Sequence, residues 1–367
     1  MPFSDFHGNP ALVTRLRQML ARDRFPHALI LAGPAGAGKF TLAQMLARAM
    51  NCLTPPAGGL PDFCGACFHC ARIAASDDLD ARFAEAVEAR EALRDADRRD
   101  TRILIQTHPD VLIIPPDPPQ MMIKVDQVRA VTAGIYFRPA EARRRVFIFT
   151  DSAFMKEAAN ALLKVLEEPP EYATLVLLAE NPGALLPTIR SRAVTLTLAP
   201  LPPAEIEDYL ARRRPQLKPR QRALVARLAN GAIGRALGFD LDGYTAARRD
   251  ALTLLTTALG EGEHADLFRA TEAYRSGAEG RDKTERLLAT LYGLLEDLLA
   301  LRCGAPDQVR NLDLEPQLQA LAAQVDFDWI SRAARRLDEV EGGMRRNLLR
   351  SLSLDAFAVS LENGSAS

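Results

Sequence analysis

Over residues 1–200, short and continuously apolar runs alternate with segments of helical spacing. His27-Ala-Leu-Ile-Leu-Ala32 leads into a glycine-rich turn, and similar runs lie at 110–114, 145–150, 174–179 and 193–197. Runs this short, with no polar alternation, predict strands of a parallel sheet covered by helices on both faces. Residues 40–51 place Leu42, Met45, Leu46 and Met50 on one helical face. Residues 156–168 place Ala159, Leu162, Leu163 and Leu166 at i, i+3, i+4 and i+7, and Pro169-Pro170 ends that helix. Residues 201–244 read as a small helical unit and 245–361 as helical throughout. The expected organisation is an α/β domain over 1–200, a small helical domain over 201–244 and an all-α domain over 245–361. Residues 362–367 (ENGSAS) read as a frayed tail.

Charge changes this picture at one place. Residues 77–100 are mostly charged, with Arg82–Glu85 and Asp95–Arg99 at helical pair spacing. Leu79, Phe83 and Val87 form a weak stripe that can dock one face. The segment 77–106 therefore reads as a solvated helical insertion rather than a functional acidic patch. The chain as a whole carries a net charge of −1, with 48% hydrophobic and 25% charged residues. That excludes a polycationic surface, so any nucleic-acid contact must be local or come through partners. The opening residues lack the apolar core of a secretory leader, and no apolar run is long enough to span a bilayer. A cytoplasmic protein is expected.

The turn after the first strand, Gly33-Pro-Ala-Gly36-Ala-Gly38-Lys39, opens a helix, which is the setting of a phosphate-binding loop. Its glycines let backbone N–H groups face phosphate oxygens, and the helix N-terminus adds positive potential. Lys39 is placed to reach the β- and γ-phosphates. The next residue in the full motif is a Ser or Thr that ligates Mg²⁺. Here it is Phe40, which cannot. Thr41 follows, but one helical step turns a side chain by roughly 100°.

Cys52, Cys64, Cys67 and Cys70 form a second constellation. CxxC spacing in a long intracellular chain points to metal rather than disulfides, and four thiolates suit a closed, structural Zn²⁺ site. His69 lies inside the cluster but is not needed to complete four ligands. Cys303 reads as a lone thiol. Further along, Val146-Phe-Ile-Phe149-Thr150-Asp151 is an apolar strand ending in an acid that can stand near a metal. The following residue, Ser152, cannot act as a general base.

Asn160-Ala-Leu-Leu-Lys-Val-Leu-Glu167-Glu168-Pro-Pro170 and Thr188-Ile-Arg190-Ser191-Arg192 come next. The order of loop, four-cysteine module, His108-Pro109-Asp110, Asp151 strand, NALLKVLEEPP and TIRSR resembles the bacterial clamp-loader family of AAA+ proteins that serve DNA polymerase III. The resemblance spans about residues 8–240 and is strongest over 27–192. The charged insertion departs from the family's short link at that point. Arg346–Leu354 resembles the family's last helix, with weaker specificity.

The resemblance implies an AAA+ P-loop domain with a zinc module (52–70), a small helical lid and a helical collar that joins subunits. Arg192 matches an arginine finger that reaches the ATP of a neighbouring subunit, although Ala193 replaces the family's following cysteine. Gly231–Leu237 resembles a second-sensor segment with Arg235 displaced by one residue and Gly234 in the arginine's place. Asn181 fits either a polar sensor after the fourth core strand or a turn residue before Pro182. Lys156, Asn160 and Lys164 share one helix face, which fits either a DNA or subunit contact or a solvated stripe.

With Phe40, Ser152 and the shifted Arg235, the pattern resembles the family's non-hydrolysing stator type. Its degenerate nucleotide site would comprise Gly33, Gly36, Gly38, Lys39 and Asp151, either holding ATP without Mg²⁺ or empty. The implied partners are gamma/tau motor and delta subunits in a hetero-pentamer, the sliding clamp, and primed DNA within the complex. No intrinsic ATPase is expected, although the complex belongs to a nucleotidyltransferase holoenzyme. A gamma/tau motor would instead carry GK[ST], an Asp-Glu pair and an intact second sensor. A P-loop nucleotide kinase would carry its zinc lid far downstream of the loop. A zinc-dependent DNA-binding module would bind duplex alone, in a salt-sensitive way.

Overall fold

The computed structural model describes residues 2–275, 278–344 and 349–364. They form two compact units, one of Met1–Pro202 with Asn230–Arg235 and one of Pro203–Ala229 with Ala236–Ser367.

The first unit contains helices α1 (Pro10–Ala21), α2 (Lys39–Asn51), α3 (Phe68–Ala74), α4 (Leu79–Glu91), α5 (Asp95–Asp100), α6 (Val125–Ile135), α7 (Lys156–Glu167) and α8 (Pro187–Arg190). Its strands are β1 (Ala28–Ala32), β2 (Ile105–His108), β3 (Val111–Ile114), β4 (Arg145–Phe149), β5 (Ala173–Ala179) and β6 (Val194–Thr197). They form one sheet in the order β2-β3-β4-β5-β1-β6. The central strands β1 and β5 are buried at every position, whereas the edge strands β2 and β6 are partly exposed. Successive side chains point to opposite faces. Leu29 and Leu31 of β1 thus join the core layer of α1, α2 and α3, while Ala28, Ile30 and Ala32 join that of α6 and α7.

Five strands are parallel as expected, but β2 pairs antiparallel with β3. It begins at Ile105, inside the segment read as a helical insertion. The rest of that insertion does form two helices, α4 and α5. Leu79 and Phe83 pack against the core as expected, joined by Ala86.

The second unit is helical among its described residues: α9 (Pro203–Arg213), α10 (Pro219–Leu228), α12 (Leu241–Ala258), α13 (His264–Glu272), α14 (Ala278–Arg302), α15 (Glu315–Gln324), α16 (Phe327–Met344) and α17 (Arg350–Gly364). The short α11 (Ile233–Leu237) spans the boundary between the units. A single apolar core runs from Ala251 to Leu361. The expected frayed tail is helical through Gly364. Residues 365–367, and residues 346–348 of the segment that resembles the family's last helix, lie outside the described residues. No described helix is long and apolar enough to cross a membrane.

Candidate functional site

In a parallel sheet, the loops beyond the carboxyl ends of neighbouring strands converge. Because β5 lies between β4 and β1, this edge brings together Asp151 after β4, Glu180 after β5, and the glycine-rich loop after β1. All three line a cavity of about 360 Å³, together with Lys39, Phe40, Thr41, Thr150 and Gly234. A larger groove of about 1130 Å³ opens at the amino ends of the strands, beside Phe25, Arg144 and Pro170, and holds none of the predicted site residues.

Gly33, Gly36 and Gly38 have φ of 144°, 76° and 87°. Such values favour glycine, because a Cβ clashes there with its own backbone. A Cβ on Gly36 would also lie 2.7 Å from the Arg235 backbone nitrogen, and one on Gly234 would lie 2.8 Å from the Gly36 oxygen. The Gly234 N–H donates to that oxygen at 2.8 Å. The 231–235 segment thus meets the loop through bare backbone. Gly234 lines the cavity; Arg235 is exposed and does not.

Lys39 donates through Nζ to the carbonyls of Gly33 (2.7 Å) and Pro34 (2.8 Å). Burial pulls its ammonium below the usual lysine value, opposed by the nearby carboxylates of Glu180 and then Asp151. Phe40 is partly buried against the apolar core. Asp151 is exposed and accepts an N–H bond from Ala153 at 2.8 Å. Asn181 does not line the cavity; its Oδ1 accepts from the Gly183 N–H, so the turn-residue alternative describes it. Glu180, one residue earlier, is the polar group that reaches the site.

The four predicted cysteines come together, with their Sγ atoms all within 4.8 Å of one another. Cys52 Sγ and Cys67 Sγ are 4.0 Å apart. The edge of a tetrahedron with Zn–S bonds of ~2.3 Å is about 3.8 Å. The arrangement therefore fits a metal ion. Backbone N–H groups of Cys64 and Cys67 donate to the sulfurs of Cys52 (3.3 Å) and Cys64 (3.2 Å). The Cys64 thiol is held down at about 6 by the Thr54 side chain, then by the N–H groups of Ala66 and Cys67. Burial pushes the Cys70 and Cys52 thiols up, a cost that a bound cation would reverse. Arg17 holds the intervening loop through the carbonyls of Leu60 (2.7 Å) and Pro61 (2.9 Å).

His69 groups with His108 and Glu141 rather than with the four sulfurs. The Asp110 N–H donates to His108 Nδ1 (3.1 Å), which leaves the proton on Nε2 to donate to His69 Nδ1 at 2.7 Å. Burial, then His69, pull His108 below the usual histidine value, consistent with a neutral ring. Glu141 is near enough to form a metal-ligand trio with these rings, but it is ion-paired with Arg72 at 3.1 Å. The His69–His108 pair is thus a hydrogen-bonded link between α3, which carries Cys70, and the edge strand β2.

Arg192 follows α8 and is partly exposed. Its Nη2 pairs with Glu167 Oε1 at 2.8 Å, and Nη1 donates to the Thr188 carbonyl at 3.1 Å. Glu167 is the first acid of the NALLKVLEEPP stretch. Lys156, Asn160 and Lys164 are all exposed on α7. Cys303 is exposed just beyond α14.

The family model described as DNA polymerase III, delta subunit, matches residues 8–202. A DNA polymerase III subunit delta′ from Bacillus subtilis is 27% identical over 316 residues, which are 86% of this chain and 84% of that protein. One from Pseudomonas aeruginosa is 34% identical over 200 residues, 54% of this chain and 51% of that protein. The DNA polymerase III subunit tau of Escherichia coli is 28% identical over 266 residues, 71% of this chain and 33% of that protein. The chain thus spans most of the first of these relatives, half of the second and a third of the last.

Proposed function

The chain belongs to the DNA polymerase III delta-subunit family and is a clamp-loader subunit of delta-prime type, and from that premise we propose that it is the stator, a subunit that does not hydrolyse ATP itself. The observation that carries this reading is the composition of the cavity. It retains Gly36, Gly38, Lys39 and Asp151, but Phe40 lines it at the sequence position where a magnesium ligand belongs. Phosphoryl transfer needs a metal that bridges the phosphates and a group that orients the attacking water. Ser152 does not supply that group, and Gly234 offers only backbone where the family resemblance puts an arginine.

Arg192 would act in trans. A guanidinium delivered to a neighbour's ATP stabilises charge that develops on the transferring phosphoryl group. Its partial exposure and single carboxylate partner favour such a role, since an exposed ion pair costs little to exchange. The four cysteines would hold a structural Zn²⁺ within an AAA+-type unit, and no step depends on that ion. Residues 201–244 would form the lid and 245–361 the collar. The partners would be gamma/tau motors and delta in a pentamer that places the sliding clamp on primed DNA.

Reconstitution tests the reading. In an assembled loader, Arg192→Ala in this subunit is expected to lower clamp- and DNA-stimulated ATPase at least tenfold, in line with what an arginine finger contributes. The variant's own unfolding temperature should not move. Unchanged ATPase with a fully assembled complex refutes the assignment.

A further inference from the structure

The cavity beside the phosphate loop contains one acid that the functional reading leaves unused. Glu180 is the first residue past β5, and strand order places it between the Asp151 strand and the loop. It lines the same cavity as Gly36, Gly38, Lys39, Phe40 and Asp151. Among the residues that line this cavity, the charged side chains are one cation, Lys39, and two carboxylates, Asp151 and Glu180.

The sign of the site turns on that count. The N-terminus of α2 contributes roughly half a positive charge. Lys39 and that helix end together oppose two full negative charges, so the balance is negative by roughly half a charge. Without Glu180 it becomes positive by roughly the same amount. In a functioning phosphate loop, Mg²⁺ offsets the strand-end aspartate. Phe40 removes a ligand for that ion, so Asp151 loses that offset and adds to the negative side of the balance. Lys39 is already engaged by the Gly33 and Pro34 carbonyls and lies in the field of Glu180.

We propose that Glu180 is the specificity-determining residue of this cavity, a fixed negative charge that excludes polyphosphate from an otherwise intact glycine loop. The proposal deepens the stator reading, because it states how the subunit stays free of nucleotide in a cell rich in ATP. It also separates two properties: Phe40 removes catalysis, whereas Glu180 removes binding.

The test is binding of ATP and of sodium triphosphate, both without Mg²⁺, to the full chain by equilibrium dialysis. Triphosphate reports the phosphate subsite without any contribution from the base. Glu180 is exposed, so replacements should keep the fold, which the unfolding temperature checks. Glu180→Gln and Glu180→Thr are expected to bind both probes about tenfold more tightly than the native chain, from removal of one charge beside a polyanion. Glu180→Asp should exclude them again. The gain should shrink as salt rises from about 50 to 300 mM, because screening weakens it. The proposal is overturned if the neutral variants bind no better than the native chain, or if the native chain binds triphosphate as tightly as they do. Neither result touches the stator reading, which stands or falls on Arg192→Ala in the reconstituted loader.

Discussion

Asp110 illustrates how a residue from a family signature can serve the fold alone. Its carboxylate accepts N–H bonds from Ala140 (2.8 Å), Glu141 and Ala142 (both 2.9 Å), with Arg145 nearby. Burial opposes its ionisation, but these donors and the guanidinium outweigh that and hold the carboxyl below its usual value. A depressed folded pKa stabilises above the unfolded value near 4, and the contribution is lost as pH falls through the folded pKa. Asp110→Asn should therefore cost about 2–3 kcal/mol at neutral pH, from weaker acceptance and one mispaired amide. The gap to the native chain should narrow below about pH 4. Urea unfolding at pH 7 and pH 3 measures it; a gap that stays constant would mean that the charge is irrelevant. At this scale much of the site was legible. The loop glycines, Lys39, Asp151 and the four cysteines are local patterns whose spacing forces their geometry. Glu180 was not, since its place depends on strand order. At the end of an extended strand adjacent residues point opposite ways, so a one-residue offset exchanged Asn181 for the group that faces the cavity.

Among the elements, the charged insertion is tied down more firmly than its composition suggests. Arg90 of α4 reaches fully buried Asp117 at 2.8 Å, and Lys124 meets the same carboxylate at 2.8 Å. The Ile103 N–H adds a third contact at 3.1 Å. Removing one partner of a buried ion pair leaves charge uncompensated. Arg90→Ala should cost about 2 kcal/mol and lower the unfolding temperature by about 5 °C. Arg94→Ala, in the exposed link between α4 and α5, is the control and should leave it within about 1 °C. Equal effects would make the insertion a loosely attached appendage. The helices and the parallel strands were readable because their apolar periods differ. Strand β2 was not: four residues, two of them at buried positions, alternate too briefly to register against a charged background.

At the scale of the whole molecule, the helical unit gathers the segment expected as collar with most of the one expected as lid, while Asn230–Arg235 of that lid segment groups with the sheet unit. Part of the reason is Arg227 of α10, which donates to the backbone carbonyls of Asp307 and Val309, both at 2.9 Å. Nearby, buried Asn311 accepts from Tyr244 (2.7 Å) and Arg248 (2.9 Å) and donates to Asp297 (2.8 Å). Carbonyl acceptors carry no sequence signature, so this grouping could not be read in advance. Each unit has apolar cores of its own, and Cys52 and Cys70 belong to a core of the sheet unit alone. Where a metal ties thiolates together, its binding free energy is folding free energy for that unit. Chelation should therefore act on one unit and spare the other. Calorimetry of the full chain is expected to resolve two transitions. A strong zinc chelator should lower the transition of the sheet unit by at least about 10 °C, since several kcal/mol of binding energy is lost. The helical transition should stay within about 1–2 °C of its untreated position. Cys67→Ser should reproduce the selective shift without chelator. Equal displacement of both transitions would mean that the units unfold together, and no displacement would remove the metal from the cysteine cluster.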